Sequence, residues 1–301
     1  MTVDLRHKPG SLPSLSAEST LRELQTERGV LRYHEAGEGP PLVFLHGSGP
    51  GVTGWRNFGG VLEAFAEHFH CYILEFPGFG VSDPTDLHPM PAGVQAVTDL
   101  LDGLGLEQVD IIGNSMGGFV GTQFSIENPT RVRRFVTIGG VGLGIFGAFP
   151  AEGINLLVEF TEDPTRERLI QWLRSMVFDP KMVTEELIEE RWAQATDPQT
   201  LESARRMYSR AAMKAMIEAT ATSDAPPAWA TLHRLKAKTL IVWGRDDRVS
   251  PVDGALVPMR TIPDVELHIF PKCGHWAMIE QKEAFESTVL SFLRRGEGTA
   301  S

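Results

Sequence analysis

The chain has 301 residues, 42% of them hydrophobic, enough to bury a full core as one large domain or as one domain carrying an insertion. Its formal net charge is −11 and its pI is near 5.3, and no basic cluster interrupts that balance, which argues against nucleic acid or an anionic membrane as a partner. Residues 1–16 lack an apolar h-region, so no signal peptide is expected, and two cysteines, Cys71 and Cys273, give no disulfide framework and fit a reducing cytoplasm.

In chain order, residues 1–18 read as a loose leader. Residues 21–26 and 30–34 alternate in polarity around Glu27-Arg28-Gly29, the pattern of an antiparallel hairpin at a sheet edge. Pro41-Leu42-Val43-Phe44-Leu45 is a solid apolar run, which predicts a strand buried on both faces. It leads into His46-Gly47-Ser48-Gly49-Pro50-Gly51, a loop that glycine and proline keep from being helix or strand. An amphipathic segment follows at 55–67, then a strand at 70–76 and a turn at Pro77-Gly78. Residues 92–104 read as a helix stopped by Gly105.

A second apolar run, Val109-Asp110-Ile111-Ile112, ends in Gly113-Asn114-Ser115-Met116-Gly117 and continues as a helical pattern to Asn128-Pro129. Gly-x-Ser-x-Gly between a strand and a helix has the form of a nucleophile elbow, a tight turn that projects the serine hydroxyl from the sheet edge. A further buried strand is predicted at 132–138. The run 135–150 is the most membrane-like, but it is short, rich in glycine and preceded by Arg131, Arg133 and Arg134, so no span is expected.

Strand-like runs disappear over 144–225, where helical stretches at 165–176, 184–195 and 200–218 predict a helical insertion. Strands resume at 239–243 and 265–270, and an amphipathic helix closes the chain at 282–294 before a glycine-containing tail that is expected to fray. Alternating strands and helices with short turns predict an α/β fold around a mostly parallel sheet. The domain expectation is a leader at 1–18, a core of 19–143 and 226–296, and a helical cap at 144–225. Gly142-Leu143-Gly144-Ile145-Phe146-Gly147 matches the dinucleotide pattern Gly-x-Gly-x-x-Gly, but Phe149-Pro150 follows where a helix should open. A flexible apolar lead into the insertion is the better reading.

A serine nucleophile needs a base, an acid to orient the base, and donors for an oxyanion. In the α/β order Ser, acid, His, the acid should follow a late strand, where Gly244-Arg245-Asp246-Asp247 stands. Asp247 is the preferred acid, with Asp246 as a solvated turn residue or the alternative. His275, in Lys272-Cys273-Gly274-His275-Trp276 after the last strand, is the expected base, and Cys273 reads as a packed thiol. His46 is expected to hold the shape of its loop. The backbone N–H groups of Ser48 and Met116 are the candidate oxyanion donors.

On these residues the chain resembles the α/β-hydrolases and, more narrowly, the meta-cleavage product hydrolases, the C–C bond hydrolases of bacterial aromatic and steroid degradation. The likeness runs over about 19–294. It is carried by the His46–Gly51 loop with Trp55 and Asn57, by Gly113-Asn114-Ser115-Met116-Gly117-Gly118, by Trp243-Gly244-Arg245-Asp246-Asp247-Arg248 and by Cys273-Gly274-His275-Trp276. The resemblance implies an eight-stranded, mostly parallel sheet with helices on both faces and a helical cap.

It implies a substrate of the 2-hydroxy-6-oxohexa-2,4-dienoate type, cut to a 2-hydroxypentadienoate and a carboxylic acid without cofactor or metal, in a cytoplasmic homo-oligomer. It also implies substrate contacts from Gly49, Asn57, Asn114, Arg191 and Trp276. An anionic dienolate needs a cation and amide donors at its carboxylate end, which suits Arg191 with the two asparagines. Arg191 could equally be a solvated helix arginine and Trp276 a core aromatic. Two positions depart from the pattern: Glu75, where an aspartate is common and where only a turn should be affected, and Lys181, where some relatives carry a small polar residue near the substrate. The alternatives are a carboxylesterase on the same fold, which has no use for a buried cation, and a hydrolase-fold binding protein without turnover.

Overall fold

The computed structural model describes residues 15–79, 81–147, 149–224 and 226–295. Its strands are β1 (Leu21–Thr26), β2 (Gly29–Ala36), β3 (Pro41–Leu45), β4 (His70–Glu75), β5 (Val109–Asn114), β6 (Val132–Ile138), β7 (Lys238–Gly244) and β8 (Val265–Phe270). They form one eight-stranded sheet in the order β1-β2-β4-β3-β5-β6-β7-β8. β1, β2 and β4 pair antiparallel, and every pairing from β4 through β3 to β8 is parallel. The central strands β3 and β5 are buried almost throughout, as solid apolar runs require when both faces of a parallel sheet are covered.

Two apolar cores lie on the two faces of the sheet. Phe124, Val120, Leu100 and Phe135 belong to one, where the helices Pro89–Gly103 and Met116–Glu127 pack. The other contains Ile112, Val136, Phe285 and Val289, and it continues without a break into Phe160, Leu169, Trp172, Leu173 and Ile188 of the inserted helices. The sheet and the insertion therefore share apolar packing on this side.

The insertion between β6 and β7 contains the helices Glu152–Glu162, Arg166–Met176, Glu185–Ala195, Pro198–Tyr208 and Arg210–Thr222. Thr165, Thr184, Asp197 and Ser209 cap four of them by accepting a backbone N–H on the side chain. The single helix expected over 200–218 is two helices, because Ser209 takes an extended conformation (φ −77°, ψ 159°), ending one and capping the next. The amphipathic segment at 55–67 is likewise divided into Gly54–Phe58 and Leu62–Ala66, separated by Gly59 and Gly60. The helix Glu152–Glu162 was not foreseen. The expected leader lies outside the described residues up to Ser14; Ala17–Thr20 form a short helix capped by Ser16, and Thr20 Oγ1 sits 2.9 Å from His34 Nδ1. The tail from Gly296 onward is outside the described residues.

Candidate functional site

Glycine and strain build the turn after β5. Ser115 has φ 52° and ψ −117°, a conformation costly for a residue with a β-carbon, and it ends β5 and starts the helix Met116–Glu127. The turn can be that tight because Gly117 rests on the Leu45 carbonyl oxygen, 2.0 Å from where a β-carbon would stand. The Ser115 N–H donates to Ile138 O at 2.8 Å, which locks the elbow to β6. Ser115 is partly exposed among buried neighbours, and Met116 is the first residue of its helix, where the backbone N–H has no intrahelical acceptor.

Across from it, His275 Nδ1 lies 2.7 Å from Asp247 Oδ2, both side chains almost completely buried. The other Asp247 oxygen accepts the N–H groups of Val249 and Ser250, each at 2.8 Å. Asp246 faces away: it pairs with Arg245 and accepts the Cys273 N–H at 3.4 Å. The geometry thus brings Asp247, and not its neighbour, to the histidine. The His275 N–H donates to Met176 O at 2.7 Å, tying the loop after β8 to the insertion. Burial pushes the Cys273 thiol above its ordinary pKa, so it is a packed, protonated group beside the histidine.

The loop after β3 is held from beneath. His46 is fully buried; its Nε2 accepts the Phe76 N–H at 3.0 Å, so Nδ1 carries the proton and donates to Gly47 O at 2.6 Å. Burial lowers the His46 pKa, opposed by Glu75, and keeps the ring neutral. The Gly47 N–H donates to Asn57 Oδ1 at 2.9 Å. Gly49 and Gly51 have φ 123° and 71°, which only glycine takes readily. The Ser48 hydroxyl shares a short hydrogen bond with the Tyr208 hydroxyl of the insertion.

Glu75 does more than shape a turn, which corrects the expectation from sequence. Its carboxylate accepts the N–H groups of Gly54 at 2.8 Å and Trp55 at 2.9 Å, and it meets His34 Nε2 at 3.2 Å. It therefore caps the helix Gly54–Phe58, which carries Asn57.

These elements line a narrow cavity formed by Gly47, Ser48, Val52, Asn57, Asn114, Ser115, Trp172, Met176, Arg191, His275 and Trp276. Arg191 is buried, not solvated. Its Nη1 donates to Gly51 O at 2.8 Å, its guanidinium carbon stands 5.5 Å from the centre of the Trp276 ring, and its Nε has no protein partner. Burial and then Arg56 push its pKa down to about 10, against Glu190, so it keeps its charge at neutral pH. Among the described residues no carboxylate lines the cavity. Asn57 presents an Nδ2 without a partner. Asn114 differs: its Nδ2 donates to Ile138 O at 3.2 Å and His275 O at 3.5 Å, so it ties the elbow to the histidine loop and has no N–H left over. Gly49 is absent from the lining; a β-carbon there would stand 2.9 Å from the Trp172 ring. Lys181 is exposed and outside the lining.

Sequence reasoning expected the Met, Phe, Leu and Trp residues of the insertion to line a pocket without singling out Trp172 or Met176, took Glu75 for a turn residue, and missed Tyr208, which bonds the Ser48 hydroxyl. Apolar spacing on a helix looks the same for a packed residue as for a wall of the cavity, so no pattern marks the individual members. Among the described residues no His, Cys, Asp and Glu group could hold a metal ion. The stretch 142–147 opens no helix: the Phe146 N–H donates to Asp253 Oδ2 at 2.9 Å, and Phe146 itself is exposed.

A family model for the alpha/beta hydrolase fold matches residues 40–282. A 2-hydroxy-6-oxo-6-phenylhexa-2,4-dienoate hydrolase of Burkholderia cepacia is 36% identical over 292 residues, covering 93% of this chain and 99% of the relative. A 2-hydroxy-6-oxononadienedioate/2-hydroxy-6-oxononatrienedioate hydrolase of Pseudomonas putida is 37% identical over 303 residues, covering 98% and 100%. Among solved structures, the 2-hydroxy-6-oxo-6-phenylhexa-2,4-dienoate hydrolase of a Rhodococcus strain superposes with a TM-score of 0.82 at 29% identity, covering 91% of this chain and 98% of that one. A meta-cleavage product hydrolase from Pseudomonas fluorescens gives 0.81 at 28%, covering 91% and 97%.

Proposed function

The chain belongs to the α/β-hydrolase fold family and, within it, to the meta-cleavage product hydrolases, and on that premise we propose that it hydrolyses a C–C bond in a 2-hydroxy-6-oxohexa-2,4-dienoate. The products are a 2-hydroxypentadienoate and a carboxylic acid. One observation carries the reading to this chain: beside the serine elbow lies a carboxylate-free cavity holding a buried guanidinium and a free amide donor. A neutral ester gives that cation no counter-charge, and an uncompensated buried charge is costly. A dienoate carboxylate compensates it.

In this mechanism Arg191 and Asn57 take the carboxylate end, with Trp276 flanking the guanidinium and Asn114 fixing the elbow against the histidine loop. The substrate is first ketonised: its 2-hydroxyl gives up a proton to His275, which returns it at C5, leaving a keto form with an electrophilic C6 carbonyl and a neutral His275. Ser115, losing its proton to His275, adds to that carbon, and Asp247 holds His275 in the tautomer that can accept the proton. The Ser48 and Met116 N–H groups receive the oxyanion, each such donor contributing about 3 kcal/mol to the transition state. Collapse breaks the C5–C6 bond; its electron pair leaves on the dienol fragment, which takes the proton from His275. Water, deprotonated by His275, then clears the acyl group from Ser115. Activation of water by Ser115 and His275 to give a gem-diol is the variant of the same chemistry.

The proposal extends to a homo-oligomer acting in the cytoplasm. The free, buried Cys71 and Cys273 support the compartment, and β8, which ends the sheet with one side unpaired by another strand, supports association. No helix among the described residues is long and apolar enough to cross a membrane.

The test is loss of the yellow dienolate absorbance with ring-fission products bearing methyl, phenyl or carboxyethyl groups at C6, beside simple aryl esters. The proposal expects turnover of at least one dienoate at a kcat/KM above that for the esters. Turnover of esters alone would replace it with a carboxylesterase.

A further inference from the structure

Trp172 lies in the helix Arg166–Met176 of the insertion, 2% exposed, and its indole N–H is buried with no hydrogen-bond partner in the protein. A core tryptophan normally finds a partner for that group, because a buried donor left unpaired costs about 1–3 kcal/mol. Trp172 also lines the cavity that holds Ser115, Asn57 and Arg191. The edge of the ring beside its nitrogen leans on the loop after β3: a β-carbon at Gly49 would stand 2.9 Å from Trp172 Cη2 and Cζ2. The loop lacks a side chain at the place where the indole approaches, so the unpaired N–H belongs to a residue that both touches this loop and lines the cavity.

Indole nitrogen donates and cannot accept. Asn57 Nδ2 and Arg191 Nε share its condition, buried on the same cavity without a protein partner. The three unpaired atoms are all donors. A hydrocarbon substituent would leave each unpaired, whereas the head of a 2-hydroxydienoate carries three oxygens, two on its carboxylate and one at carbon 2.

We propose that Trp172 is a substrate-binding residue whose indole N–H donates to an oxygen of this head, completing a set with Asn57 and Arg191. The proposal rests on the dienoate reading of the site and adds to it a residue that determines which end of the substrate enters first. Its consequence is that the C6 substituent lies away from Trp172, and that widening or narrowing the cavity there changes head-group affinity rather than C6 selectivity.

The test uses the full chain carrying Ser115→Ala, so that ligands bind without turnover, with and without Trp172→Phe, which keeps a ring and removes the N–H. The probes are 2-hydroxy-6-oxo-6-phenylhexa-2,4-dienoate, followed by its absorbance, and 2-hydroxypenta-2,4-dienoate, which has the head and no C6 group. The expected result is roughly tenfold weaker binding of both probes on Trp172→Phe, as for a lost hydrogen bond to a charged acceptor. Trp172→His, which returns a ring N–H, recovers part of the loss. In the Trp172-containing protein an indole N–H resonance moves downfield as the shorter probe is added, a readout that needs no substitution at this position. Equal affinities in the Trp172→Phe chain, weakening confined to the phenyl probe, or no shifted indole resonance would each overturn the proposal while leaving the dienoate reading in place. Failure of the Trp172-containing protein to bind either probe would remove both.

Discussion

The carboxylate of Asp247 approaches His275 Nδ1 at 2.7 Å with its Oδ2, while its Oδ1 is occupied by two backbone N–H groups. The aspartate is therefore held from both sides, and the ring it faces carries its proton on Nδ1, leaving Nε2 unprotonated for the role as base proposed above. Asp247→Asn keeps the Val249 and Ser250 bonds through the amide oxygen and turns an NH2 group toward the ring. That selects the opposite tautomer, with Nε2 protonated and useless as a base. The expected result is a fall in kcat of about 10⁴-fold with little change in KM. Single-turnover decay of the dienolate measures it, and a loss smaller than tenfold would remove Asp247 from the proposed mechanism.

Arg191 is expected to act mainly on binding. Replacing it by Met keeps the stem over Trp276 and removes the charge. KM for a dienoate should then rise by roughly 10- to 100-fold, the scale of a buried charge-assisted contact, with no comparable change for a neutral aryl ester. Burial lowers its pKa to about 10, so on this account affinity for the anion stays flat between pH 7 and 9. Arg191→Lys should recover little, because an ammonium is a compact point charge without the planar fork that lets the guanidinium hold the Gly51 carbonyl on one edge and meet a carboxylate on another. Equal rises in KM for the ester and the dienoate would show that the variant merely disturbs the loop.

Most of the scaffold was legible because its signals are local. Solid apolar runs identified β3, β5 and β6 within a residue or two, and glycines flanking Ser115 identified the elbow. Order along the chain then selected His275 and the pair Asp246-Asp247. Asp247 was preferred over Asp246 only on the spacing of related hydrolases; which aspartate turns toward the histidine depends on the turn after β7, a property of the folded chain. The cavity wall was less legible. Arg191 carries the same sequence whether it is solvated or buried, and only the packing of its helix against the Gly51 loop decides. Glu75 looked like a conservative change at a turn because its partners, Gly54, Trp55 and His34, are about 20 or more residues away in sequence. Trp172 was not singled out, since an unpaired indole N–H is a property of the assembled fold.

Glu75 leads to a prediction about positioning. Its two oxygens accept the first N–H groups of the helix that carries Asn57, and Asn57 in turn accepts the Gly47 N–H. Glu75→Gln places an amide NH2 against one of these donors and leaves it unpaired. A stability loss of about 1–3 kcal/mol follows. Displacement of Asn57 should also raise KM for the dienoate more than it lowers kcat. Glu75→Asp, one methylene shorter, should fall between Gln and the unsubstituted chain on both measures. Urea unfolding and steady-state kinetics on the same preparations test this; a stability loss without any change in KM would confine Glu75 to folding.

His46 sets the response to acid. Burial holds its folded pKa below the ordinary value, and the unfolded ring titrates near 6.5. Between those two values the unfolded chain binds a proton that the folded chain refuses, so stability is complete above about pH 6.5 and falls as the pH drops below it. The slope from this one group approaches about 1.4 kcal/mol per pH unit. Protonation would also remove the acceptor that Nε2 offers to the Phe76 N–H, loosening the loop that carries Ser48. His46→Gln is uncharged throughout and should flatten the dependence, though it starts from a lower stability at pH 7.5. Urea midpoints at pH 7.5, 6.0 and 5.0 for both chains give the comparison. If the two chains lose stability in parallel between pH 6.5 and 5.0, the acid response belongs to other groups and His46 is only a packing residue.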